Sequence, residues 1–131
     1  MKILRFTHVG FGIMFIALGV FTIAKPSVFS HYGIRIDTPE ARIAIRAIVG
    51  GGEVGIGLFL SIGGWLNIRS SVLNGLATTI LLSVGLTRLI AAWLETSQPV
   101  SIQPYREGLI EVSLGVFALV MSIVCREGPT S

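Results

Sequence analysis

Apolar residues fall into four long runs, with the polar residues gathered between them. The runs extend from about Phe6 to Ala24, Glu40 to Trp65, Val72 to Leu94 and Tyr105 to Cys125. Each approaches or exceeds the ~20 residues that a helix needs to cross a bilayer. Lys25-Pro26 ends the first run, because proline lacks a backbone donor and disfavours a helical residue before it. Asn67 to Ser71 is a tight polar break, and Glu95 to Pro104 holds two prolines. The pattern predicts an all-α protein, an integral membrane four-helix antiparallel bundle forming a single domain over residues 1–131. Thr38-Pro39-Glu40 reads as a helix start, with a hydroxyl N-cap, proline in the first turn and an acid at the positive end of the dipole.

Within the runs, small and polar residues recur at helical spacing and mark the inward faces. In the first span these are His8, Gly12, Phe15, Gly19 and Thr22; in the third, Asn74, Ala77, Thr78, Leu81, Gly85, Arg88 and Ala92. In the fourth they are Glu107, Gly108, Glu111, Gly115, Ala118 and Ser122. The second span places Arg42, Arg46, Gly50, Glu53, Gly57 and Gly64 on one stripe and turns Ile48, Phe59 and Ile62 to lipid. The segment Lys25 to Thr38 carries Phe29, Tyr32, Ile34 and Ile36, a set that suits an interfacial loop or a short amphipathic lid.

Four charges inside the spans stand out: Arg46, Glu53, Arg88 and Glu111. At 1.5 Å per residue all four fall in the same half of a ~30 Å hydrocarbon core, on three helices. Left unpaired they would cost on the order of 10–14 kcal/mol on insertion scales. Pairing across helices is the expected relief, and depth alone puts Arg88 with Glu53. Two readings stay open. The ion pairs fix helix register, or they line a cavity that receives a polar or anionic headgroup, with Arg46, Glu53, Arg88 and Glu111 as ligand-binding residues.

Composition narrows the rest. The 131 residues are 52% hydrophobic and 13% charged, and the mean hydropathy is +0.81, outside the range of water-soluble domains. The net charge of +3 is spread over loops, as in ordinary membrane proteins, so nucleic acid is not an expected partner. Cys125 is the single cysteine, which excludes an intrachain disulfide and a thiolate cage. His8 and His31 are expected at opposite surfaces, and no metal or cofactor motif is present. The glycines of GGG at 50–52 lack the preceding strand and the GK[ST] of a phosphate loop. The basic start and apolar core of the first run superficially resemble a signal peptide, but without a small-x-small cleavage site it reads as a retained span.

Pro39 to Arg42 leading into Arg46-Ala47, Gly50-Gly51, Gly55-x-Gly57-Leu58-Phe59-Leu60, Gly85-Leu86-Thr87-Arg88 and Glu111 resemble the small bacterial membrane proteins grouped as the domain of unknown function 4345 family. The resemblance implies a four-span bundle and no settled activity; the expected location is the inner, cytoplasmic membrane. The glycine-rich second span is more loosely similar to DoxX-type four-span proteins. Three functions remain open. One is a binding or accessory protein whose ionic pocket holds a lipid-like or quinone-like amphiphile, or a partner helix. Another is a membrane enzyme using Glu53 or Glu111 as acid or base on an apolar substrate. The third is a transporter, ranked last because the first span holds no acid. A homo-oligomer is expected to enlarge the small enclosed volume. Basic residues outside the spans tie between the two surfaces, and the basic start of the first span tilts the termini toward the cytoplasm.

Overall fold

The computed structural model describes residues 2–94 and 102–125. Most of the loop expected at Glu95 to Pro104, and the tail from Arg126, lie outside the described residues. Four helices account for most of the chain: α1 (Lys2–Ala24), α2 (Pro39–Ile62), α3 (Ser70–Leu94) and α4 (Ile102–Val124). All four are long and apolar enough to cross a membrane by length and composition. The described residues contain no strand. The fold is all-α, as the run pattern predicts, and α4 starts a turn earlier than expected. Pro104 does not prevent this, because in a first turn its missing N–H would have no intrahelical acceptor.

Residues divide into two compact units, one of 8–67 and the other of 68–131 together with 1–7. The first is a hairpin of α1 and α2. As residue numbers rise along α1, their partners fall along α2, from His8 against Leu60 through Gly12 against Gly57 and Gly19 against Gly50 to Ile23 against Arg46. Two glycine pairs set the closeness of this packing. A Cβ on Gly57 would lie 2.6 Å from the Gly12 carbonyl oxygen, and one on Gly19 would lie 2.6 Å from that of Gly50. With hydrogen on both sides the backbones touch directly. The expected α1 stripe is the buried one: His8, Gly12, Phe15, Gly19 and Thr22 all face inward. His8 Nδ1 donates to the Leu60 carbonyl at 2.8 Å, since a carbonyl can only accept.

The stripe on α2 departs from expectation. Residues Ile45–Gly50 are π-helical, and the Gly51 N–H bonds back five residues to the Arg46 carbonyl. This wider turn takes up one more residue than α register allows. Arg46, at its start, is therefore rotated out of line with Gly50 and Gly57. It is exposed, whereas Gly50, Gly57, Leu60 and Gly63 are buried. Gly64, expected inside, is exposed, and Ile48, Phe59 and Ile62 face outward as expected.

The connection between α1 and α2 opens with a 3₁₀ turn, Pro26–Tyr32, closed by Gly33 at φ 73°, a left-handed conformation suited to glycine. The chain then runs without regular structure until the Thr38 hydroxyl accepts from the Ala41 N–H at 3.2 Å and caps α2. Arg42 Nη1 donates to the carbonyls of Ile36 (3.3 Å) and Asp37 (2.9 Å), strapping this stretch to the helix.

The second unit is the hairpin of α3 and α4. Gly85 packs against Gly108 and Val112. Asn74 Nδ2 donates to the Ala118 carbonyl (2.7 Å) and to Ser122 Oγ (2.6 Å). Near the other end the Tyr105 hydroxyl donates to the Ala92 carbonyl at 2.9 Å. The expected stripes are again the inward ones, with Arg88, Glu107, Glu111 and Ser122 half-buried at their edges. Leu109, Val116, Phe117 and Val120 are exposed, the places the pattern assigned to lipid.

Candidate functional site

An arginine of α3 and two glutamates of α4 form the site. Glu107 and Glu111 are one turn apart and so share a face of α4. Antiparallel pairing brings Arg88 opposite them. Arg88 donates from Nε (3.1 Å) and Nη2 (2.9 Å) to the two oxygens of Glu111, the two-point fork that guanidinium and carboxylate geometry allow. Its Nη1 bonds Glu107 Oε2 at 3.0 Å, and Gln103 Nε2 donates to the other Glu107 oxygen at 3.0 Å. All three ionised side chains keep some exposure: 31% for Arg88 and 25% for Glu107, and 22% for Glu111. The cluster is held in place yet reachable.

Beside it an open depression of about 440 Å³ runs along α3, lined by Ser83, Val84, Thr87, Arg88 and Ala91. Its walls are short side chains and one guanidinium, so an apolar body can lie along the helix with a polar end at the ion cluster.

The expected four-charge network is corrected here. Arg88 and Glu111 do meet, but Glu107, which lies on the expected stripe of the fourth span yet outside the set of four, completes the cluster. The expected pairing of Arg88 with Glu53 is replaced by Arg88's bonds to the two α4 carboxylates. Glu53 lies half-buried in the first hairpin, where its Oε2 accepts from the Thr22 hydroxyl at 3.2 Å. Arg46, in the same hairpin, gives its Nε–H to the Ile23 carbonyl at 2.9 Å. That carbonyl belongs to the last turn of α1, where four carbonyls lack intrahelical donors and the dipole is negative. Arg46 is thus a helix-end cap. Among the described residues no group of three or more His, Cys, Asp and Glu has metal-holding geometry.

Fold and site together define a multi-pass membrane protein carrying an Arg–Glu–Glu cluster between two of its apolar helices. The chain belongs to the family described as domain of unknown function (DUF4345), whose profile matches residues 3–123, nearly the whole length. The first of the two resemblances is thereby established, and the match gives no support to the DoxX-type similarity. Neither the curated proteins nor the solved structures contain a significant match.

Proposed function

We propose that the protein is a binding or accessory membrane protein in which Arg88, Glu107 and Glu111 receive the polar end of a lipid-like or quinone-like amphiphile. The observation that carries this reading is the partial exposure of an ion cluster within apolar helices, beside the α3 depression. Ionisable groups are rare at such depth, and where they stay accessible they commonly mark binding or transport paths. Because the Arg88 guanidinium is engaged by carboxylates, the head best suited to the cluster offers hydroxyl, amine or carbonyl groups rather than a second anion.

The proposed setting is the inner, cytoplasmic membrane, with both termini on the cytoplasmic face. The test is native mass spectrometry of the gently extracted protein. A co-purifying small molecule is expected on the wild type and is lost in Glu111→Gln. A wild type free of any adduct, or an adduct indifferent to this change, contradicts the reading.

A second reading uses the same face. Ser83, Thr87 and Ala91 are short, exposed and spaced four apart, a pattern that admits a neighbouring helix. A dimer mass that Thr87→Leu abolishes, with no small-molecule adduct, supports it instead.

A further inference from the structure

The first hairpin carries a feature that the α3–α4 cluster does not explain: Arg46 is exposed although it lies within a membrane-spanning helix. We propose that Lys25 and Arg46 form a binding site for the phosphodiester of an anionic phospholipid, at the surface where α1 ends and α2 begins.

The geometry sets the level of the site. Arg46 stands about 10 Å along α2 from Pro39, and its head reaches the Ile23 carbonyl in the last turn of α1. Lys25 follows two residues later and is exposed. Nε is the Arg46 atom used by that bond, and the Nη edge bonds no other group of the hairpin. This edge presents the paired donors that match a phosphate.

Apart from the exposed Arg35, the other charges of the segment are already placed. Arg42 holds the Ile36 and Asp37 carbonyls. Asp37 and Glu40 flank the N-terminus of α2, where the dipole favours acids, and Glu53 lies deeper against Thr22. From Lys25 to Arg46 the chain has four cations, Lys25, Arg35, Arg42 and Arg46, against these two flanking acids, so the surface is basic. Ile23, Ile43 and Ile48 are exposed around it and suit acyl chains. An exposed guanidinium at this depth is costly unless it snorkels to an anion, and phospholipid phosphates lie at that level.

The site is tested by titrating the purified full chain with phosphatidylglycerol or phosphatidylcholine in detergent and counting adducts by native mass spectrometry. Wild type is expected to prefer phosphatidylglycerol. Arg46→Gln and Lys25→Gln each lower that preference about fivefold, and the double change about 25-fold, from the usual contribution of one surface cation. Arg69→Gln, which removes a cation from the turn before α3, leaves it unchanged. Since Arg46 also caps α1, Lys25→Gln keeps the test informative if the arginine variant unfolds. Equal binding of the two lipids by wild type, or full preference in Lys25→Gln, overturns the proposal. Displacement of phosphatidylglycerol by millimolar inorganic phosphate assigns the site to soluble anions and also overturns it.

Discussion

At the scale of single residues, charge inside an apolar helix is tolerated only where a specific neighbour takes it up, and the neighbours differ in kind. Arg88 has carboxylates, Arg46 has a helix-end carbonyl and Glu53 has a hydroxyl. The meeting of Arg88 and Glu111 was not legible from depth, which alone points Arg88 to Glu53; only the membership of both in one set of buried charges was. Glu107 is legible as a neighbour of Glu111, one turn away on the same stripe, although the set of four buried charges leaves it out. The partners of Arg46 and Glu53 were not legible: a backbone carbonyl leaves no mark in a side-chain pattern, and a threonine reads as a packing residue. Glu53 accepts one neutral hydrogen bond, which a glutamine oxygen can also accept. Glu53→Gln is therefore expected to change stability by less than about 1 kcal/mol, measured as the thermal midpoint in detergent.

Helix by helix, apolar runs predicted existence and approximate length, while the π-turn in α2 was hidden. A spacing of seven between Arg46 and Glu53 puts them on one face only if every intervening turn is α-helical. Nothing in IRAIVG announces the wider turn. Gly12, Gly19, Gly50 and Gly57 lie inward as the small-residue pattern implies and Gly64 does not, and the close approach distinguishes among the glycines. Gly57 faces the Gly12 backbone, whereas a Cβ on Gly55 meets no atom within 4 Å. Gly57→Val is expected to destabilise the hairpin by about 2–3 kcal/mol, because backbone rather than a flexible side chain would have to yield. Gly55→Val is expected to cost less than about 1 kcal/mol. Thermal unfolding of the two variants side by side checks the contrast.

For the molecule as a whole, hydropathy alone was enough to give the class, since 131 residues with this composition leave too few polar side chains to cover a water-facing surface. Partner choice among the spans was harder to read. Helix stripes show which face is inward but not which neighbour it meets, and similar small-residue faces occur on every span. The proposed orientation has both termini on the cytoplasmic face. A fluorescent reporter fused after Ser131 is expected to be bright in the cytoplasm, and a phosphatase reporter inserted at Gly33 is expected to be active on the other side. The reverse pattern would invert the proposed orientation.

The claim on which the account rests is that an arginine of one span and glutamates of the next neutralise one another inside the membrane. A double-mutant cycle on Arg88→Met and Glu111→Leu, read from unfolding in detergent, measures it directly. The expected coupling is about 1–2 kcal/mol, with the double variant more stable than Arg88→Met alone, because Glu107 by itself, rather than both carboxylates, is then left without the guanidinium. Additivity within about 0.5 kcal/mol would contradict the pairing.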